Sequence, residues 1–474
     1  MMNTQYLKRY PQETHMDNIK QILAASLTHE ERMEIIRYLQ NCGSLDIIGR
    51  LPIHLSARIL SYSTPFELCK LRLVSRLWSK VCTHDIIWRR FCVEYKMIDN
   101  DSTVSYTDQS LYYSLFRRSM TMTKTWKTLD CKRVEMRYHT GPVLCMLIAH
   151  VTRIFTGDID GKIHVWDTQS QKHCFIQAHK SHVSCLVDNG QMIASGSADT
   201  TIQIHHLINL THAAQLVGHE GPVTALAYTN NYEEHILISG SIDRTIRLWD
   251  TRHGTCLRIL HGQENTINSI VYCPRFSLRF CQSEQETRTV QTNKAGYIVS
   301  SSSDQSVFVW DLKTSLVNDI PEVIGSIMDT NGPVSAMAVY DEFLGEEAEE
   351  QTINEYTVAR RPIHIPTFVA YAGQADTGIS IFSLPGLEKT YVEAPNVHRG
   401  TIWSISAATI HSKLITTSGD RTAIMWDLKS TKRSLTLGGF DSAVVSSAVS
   451  PQEEFLCFGT EKGCIVLFDL QEFR

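Results

Sequence analysis

Along the last three quarters of the chain, apolar residues alternate with period two in short runs bounded by turn residues. One run recurs seven times: a small residue, an acidic residue shortly after it, then alternating apolar residues that end in an aromatic and, in most copies, Asp. The copies lie at 156–167, 195–206, 239–250, 300–311, 372–383, 417–427 and 458–469. Alternation on both sides of a tight turn predicts strand, turn, strand. Seven copies in phase predict a repeat array rather than isolated hairpins. A second marker precedes most copies: His139 to Val143, His179 to Val183, His219 to Val223 and His398 to Ile402. In the other three the His position holds Gln263, Thr330 and Phe440. The aromatic anchors are Trp166, His205, Trp249, Trp310, Phe382, Trp426 and Phe468.

Two polar stretches, 275–293 and 341–367, interrupt the array and read as surface insertions. The sequence stops shortly after Asp469, one strand short of a full last repeat. The alternating stretch Lys132 to Arg137 is expected to supply that strand and close the array, removing its exposed sheet edges.

The front of the chain has helical periodicity instead. Pro52 stands at a helix start, and Leu55, Ile59 and Leu60 share one stripe. After Thr64-Pro65 a second stripe runs through Leu68, Leu71, Val74 and Trp78, followed by Ile87-Trp88. Thr28 and Glu31 form a capping box that opens a helix over 32–41. Another helix is expected around Leu111 to Arg118, ending near Trp126.

Composition narrows the function. With 43% hydrophobic and 20% charged residues over 474 positions, the chain reads as globular rather than disordered. Residues 1–124 carry a net charge of +5 and the remainder −10, which argues against nucleic-acid binding by the larger part. Without a run of about 18 apolar residues, no membrane span is expected. Without a visible secretory signal, a cytoplasmic or nuclear location is expected. The 13 cysteines form no Cys-x-x-Cys pair and read as reduced thiols, neither disulfides nor a zinc site.

Several repeats combine His, Ser or Thr, and Asp, as in His139/Thr156/Asp160, His179/Ser195/Asp199, His219/Ser239/Asp243 and His398/Thr416/Asp420. Each resembles a hydrolase triad, but a catalyst needs one site with an oxyanion hole, not four copies. No catalytic residue is assigned. His205 and His206 point to opposite faces of a strand and cannot chelate together, so no metal site is assigned. No phosphate loop or dinucleotide fingerprint appears, and no cofactor is expected.

The recurring pair of motifs resembles the WD-repeat family over roughly 125–474, and Leu51-Pro52 with Leu71 to Trp78 resembles the F-box over roughly 50–93. The resemblance implies a multidomain chain: an N-terminal all-α F-box module followed by an all-β seven-bladed WD-repeat propeller. Its expected parts are a helical segment at 1–49, the F-box at 50–93, a helical linker at 94–124 and the propeller at 125–474. It also implies that His139, Thr156, Asp160 and Trp166, with His219, Ser239, Asp243 and Trp249, and His398, Thr416, Asp420 and Trp426, form buried structural tetrads. Segment 28–48 is either a homodimerisation helix or a helix packed on the F-box.

For function, the resemblance implies a non-catalytic substrate receptor of a Skp–cullin–F-box ubiquitin ligase. The F-box would bind a Skp-type adaptor, and through it a cullin–RING scaffold, using Leu51, Pro52, Leu55, Ile59, Leu60, Leu68, Leu71, Val74, Trp78 and Trp88. Ser63 and Thr64 depart from the usual Leu and acid. The alternative is a propeller scaffold whose F-box-like module does not support ligase assembly. Family members that read phosphorylated targets carry arginines at two recurring top-face positions. Here the first holds Leu144, Ser184, Thr224, Asn268, Ser335, Trp403 and Val445, and the second Ile159, Ala198, Ile242, Ser303, Ala375, Gly419 and Glu461. No Arg or Lys stands there to grip a phosphate. The expected target site is therefore apolar: Trp403 with Leu144, Ile159, His182 and Ile242. The alternative for Trp403 is packing against the neighbouring blade.

Overall fold

The computed structural model describes residues 48, 51–94, 111–149, 152–168, 170, 172–229, 235–273, 296–317, 323–328, 332–341, 367–373, 379–384, 389–391, 398–428, 430 and 432–471. The insertions and the segment before residue 48 lie outside these. The chain divides into two compact units, 1–124 and 125–474.

In the first unit, helix α1 spans Ile53–Leu60, α2 Pro65–Leu71, α3 Arg76–Cys82 and α4 Asp85–Glu94. Helix α5 spans Leu111–Thr128. Thr64 opens α2 through a capping box: its hydroxyl accepts the Glu67 N–H, and Glu67 accepts the Thr64 N–H. Ser75 opens α3 by accepting the Trp78 N–H at 3.2 Å. That cap breaks the stripe predicted to run unbroken from Leu68 to Trp78. The chain turns over Arg72 to Val74 between the two helices. Ala57, Leu60, Leu68, Val81, Ile87, Trp88, Phe91, Tyr112 and Phe116 form the core. At its centre the Trp88 indole donates to the Cys82 carbonyl at 2.6 Å and meets Phe91, Tyr113 and Phe116.

The second unit is a propeller of seven four-stranded antiparallel sheets. Blade 1 contains Cys145–Ala149, Arg153–Gly157, Lys162–Asp167 and His173–Gln177. Blades 2 to 6 repeat this order. Blade 7 takes three strands from the C-terminus, and its outer strand is Lys132–Arg137, which pairs antiparallel with Cys464–Asp469 in the register Lys132↔Asp469 to Arg137↔Cys464. The ring thus closes where the alternation upstream of His139 placed it. First strands of successive blades pack on one another, including blade 7 on blade 1, so the apolar core lies between sheets.

Small polar residues clasp the blades together. Ser184 donates to the carbonyl of Val223 in the next blade, and Thr224 to Ile267. Asn268 donates to Val334 at 2.8 Å and Ser335 to Ile402 at 2.7 Å. Each sits at a bulge in its first strand, where the extra residue turns its side chain toward the neighbour. Three equivalent residues, Leu144, Trp403 and Val445, carry no hydroxyl or amide side chain. There the clasp passes on: Cys145 reaches the Val183 carbonyl at 3.5 Å, Ser404 reaches Ser447 at 3.1 Å, and Ser446 reaches the Val143 carbonyl at 2.9 Å.

Candidate functional site

The tetrads are built by register. Adjacent strands bring Ser239 beside the inner loop that carries His219 and beside Trp249 on the third strand. In blade 3 His219 bonds Asp243 at 2.7 Å and Ser239 at 2.6 Å, and the Trp249 indole donates to Ser239 at 2.8 Å. Thr245 holds Asp243 in place at 2.6 Å. Blade 6 repeats this: His398 to Asp420 at 3.0 Å and Thr416 at 2.9 Å, with Trp426 to Thr416 at 3.0 Å. Blade 2 keeps His179, Ser195 and Asp199, but its anchor is His205, whose buried Nδ1 has no partner. Blade 4 replaces His by Gln263, which donates to the Ser300 carbonyl, while Trp310 donates to the Ser300 hydroxyl at 3.0 Å. Blade 7 replaces the polar set by edge-to-face Phe440, Phe458 and Phe468.

Burial lowers the pKa of His179, His219 and His398, against the pull of each aspartate. Burial alone would raise Asp243, but hydrogen bonds from Thr245 and His219 outweigh it and hold the carboxyl at about 2. The histidines and hydroxyl residues of these three chains, His179 and Ser195, His219 and Ser239, His398 and Thr416, are buried. Buried, hydrogen-bonded networks of this kind specify strand order.

Blade 1 departs from the pattern. His139 reaches Thr156 at 2.8 Å, but Asp160 does not reach His139. Asp160 is 52% exposed and pairs loosely with Lys162. The buried acid is Asp158 instead, which accepts the Asp160 and Lys162 N–H groups and bonds His164 at 3.0 Å. The cause is local. Blades 2, 3 and 6 have Ser197, Ser241 and Ser418 where Asp158 stands, and Thr201, Thr245 and Thr422 where Lys162 stands. Asp158 takes over the turn, and without the threonine nothing draws Asp160 inward. The Nδ1 of His139 and the Nε1 of Trp166 are buried without partners. Burial, with His164 adding, pushes His139 down to about 4.

The structure also redistributes the candidate adaptor residues. Leu51, Leu55, Leu60, Leu68 and Trp88 are buried in the helical unit, and Pro52, Ile59, Leu71 and Trp78 are half-buried. Of the expected set only Val74 is exposed, at 62%. The most exposed apolar residues of this unit are Phe66 at the start of α2, Leu73 and Val74 in the turn, and Leu77 at the start of α3, with Leu73 86% exposed. The stripe reading included Val74 but left out Phe66, Leu73 and Leu77, because it followed only the face carrying Leu68, Leu71, Val74 and Trp78. The cap at Ser75, two residues after Leu73, is the signal that breaks the stripe.

On the propeller, Trp403 is 48% exposed, Ile159 and Ile242 are comparably exposed, His182 is exposed and Leu144 is half-buried. Trp403 does not pack away against its neighbour. Its indole lies over Gly419, where a Cβ would approach Nε1 to 3.3 Å. The positions beside it that were read as surface, Ser184, Thr224, Asn268 and Ser335, are spent on the blade clasps.

Family comparison agrees with this architecture. Residues 48–94 match the F-box-like family, and 130–167, 170–206, 210–250 and 254–311 match the WD domain, G-beta repeat. The chain thus carries an F-box-like domain followed by WD repeats, matching the domain order of F-box/WD-repeat proteins. It is 22% identical over 260 residues to cell division control protein 4 of Saccharomyces cerevisiae, covering 52% of the chain and 28% of that protein. It is 23% identical over 282 residues to mitogen-activated protein kinase kinase kinase A of Dictyostelium discoideum, covering 49% and 29%. It is 30% identical over 135 residues to E3 ubiquitin-protein ligase COP1 of Pisum sativum, covering 28% and 20%. The chain thus spans less than a third of the length of each of these relatives.

Proposed function

We propose that this chain is a non-catalytic substrate receptor of a Skp–cullin–F-box ubiquitin ligase. The observation that carries the reading is the exposed set Phe66, Leu73, Val74 and Leu77, on a helical unit whose interior is already filled by Leu55, Leu68, Ile87 and Trp88. Exposed apolar residues on a small module, uncommitted to its own core, suit a partner's hydrophobic groove. That partner is a Skp-type adaptor, which links the receptor to a cullin–RING scaffold. The propeller supplies the target surface around Trp403. The likeness to a ligase named as such in Pisum sativum supports the reading. The chain contributes proximity: it holds a target near a ubiquitin-charged enzyme, and catalysis belongs to that enzyme.

The test is reconstitution. The full chain, adaptor, cullin–RING scaffold and ubiquitin-charging enzymes are combined, and ubiquitin transfer to propeller-bound protein is followed. Transfer that requires this chain supports the proposal. A chain that forms no complex with adaptor and cullin is a propeller scaffold instead.

A further inference from the structure

The departure in blade 1 gathers an unusual set of side chains. His139, Asp158 and His164 each offer one ligand atom, and these atoms lie within 4.8 Å of one another, all in buried residues. The rings of His139 and His164 are 4.2 Å apart. The strands impose this: Thr156 pairs with His164 across the sheet, and Asp158 follows Thr156 by two residues on the same side.

We infer that His139, Asp158 and His164 form a binding site for a zinc-class divalent cation, held by two imidazoles, one carboxylate and a water.

Four features fit. The Nδ1 of His139 is buried and has no partner, while its Nε2 is fixed on Thr156, so the free nitrogen is the one left for an ion. Asp158 has divided its oxygens. Oδ1 accepts two backbone N–H groups at 2.8 and 3.0 Å, and Oδ2 faces His164 at 3.0 Å. That oxygen and the His164 nitrogen stand close to the separation of two ligands on a tetrahedral ion with bonds of about 2.0–2.2 Å. The other ring nitrogen of His164 lies 2.9 Å from His173 Nε2, the outer hydrogen bond that metal-bound histidines ordinarily make. Finally, the site has an approach: His173 is half-buried on the outer strand, and Tyr138, stacked on it, is largely exposed. Imidazole and carboxylate ligands suit zinc and its neighbours better than calcium or magnesium. The cation takes the place of the missing Asp–Trp chain in blade 1, joining the inner loop at His139 to the second and third strands.

The test uses tag-free full-length chain stripped with chelator and titrated with zinc chloride. Calorimetry, metal analysis after gel filtration and thermal melting are the readouts, and cobalt(II) serves as a spectroscopic probe. The expected result is one zinc per chain, a raised melting temperature, and an intense visible cobalt spectrum of low-coordinate type. His164→Gln and Asp158→Ser install residues that blade 2 carries at the same places, so the blade is expected to keep its fold. Both should lose the ion and the melting shift. His173→Ala should weaken binding by about 10–100-fold. His253→Gln, an exposed control, should change nothing. The inference is overturned if the native chain binds no zinc stoichiometrically. It is equally overturned if His164→Gln retains the ion and the shift, since the cluster would then be a hydrogen-bonded histidine network only.

Discussion

The indole of Trp249 donates to Ser239 at 2.8 Å, whereas the indole of Trp166, in the equivalent place of blade 1, reaches no acceptor. Both rings are buried, but only the Trp249 indole has a hydrogen-bond acceptor, while Trp166 stacks on His173 and meets Tyr138. Trp249→Phe should therefore cost about 1–2 kcal/mol, the contribution of a buried hydrogen bond plus the unpaired hydroxyl left behind, beyond the loss of ring size. Trp166→Phe should cost measurably less. Chemical denaturation of the two variants checks this. Equal losses would mean that the hydrogen bond does not set the difference between the blades.

Acid should weaken the propeller in two stages. The pKa values of His179, His219 and His398 are lowered in the fold from 6.5, so the unfolded chain takes up protons first as pH falls. Their contribution is complete above pH 6.5 and is lost progressively below it. Asp243, held at about 2 against an ordinary 3.8, adds stability that is lost only as pH falls from 3.8 toward that lower value. Melting temperature followed against pH should show both declines, and His219→Gln should flatten the first. A melting temperature that holds steady from neutrality down to about pH 5 would contradict the assignment.

Trp403 should act as a binding anchor. A half-exposed tryptophan on a rigid strand bulge offers a large contact area at low entropic cost. With a target in hand, Trp403→Ala should weaken binding by about 2 kcal/mol, roughly 30-fold, without changing the melting profile. Unchanged affinity would move the target surface elsewhere on the ring. Loss of binding after phosphatase treatment of the target would direct attention to Arg244 and Arg421, which occupy left-handed positions in the blade turns.

The helical unit separates folding from docking. Leu55→Ala, at a fully buried site, should destabilise the unit by about 2–5 kcal/mol. Alanines at Leu51 and Pro52 are expected to act the same way, because Leu51 packs on Leu55 inside the unit. Loss of adaptor binding in those variants would report unfolding, which circular dichroism detects. Any variant that keeps its helical signal yet loses the adaptor must lie on the exposed set.

Much of the fold was legible because repetition makes each copy a check on the others. The number of copies and the strand-like stretch Lys132–Arg137 follow from phase and alternation, while the four-stranded blade and its closure follow from the family resemblance. What failed was position-by-position transfer. Asp160 aligns with Asp199, Asp243 and Asp420, yet a serine-to-aspartate change two residues earlier and a threonine-to-lysine change two residues later leave it in solvent. Asp158 beside a lysine was the available signal. Ser184 and Thr224 looked like surface residues until the bulges turned them onto the next blade. The group around His164 joins residues from an inner loop, the turn after the second strand and the third strand, and only their register brings them together. In the front unit, a period of helical length ran through Ser75, and the capping side chain decided the break.

The apolar set at the α2–α3 turn is the proposed adaptor-docking surface. The measurement is the affinity of the full chain for a Skp-type adaptor, compared with that of a Leu73→Glu, Val74→Glu double variant. Both residues are largely exposed, so the variant should keep its helical content and melting temperature. The account predicts that its adaptor affinity falls by two orders of magnitude or more, roughly 3 kcal/mol, as for charges placed in a hydrophobic interface core. A folded double variant that binds the adaptor as well as the native chain would contradict it.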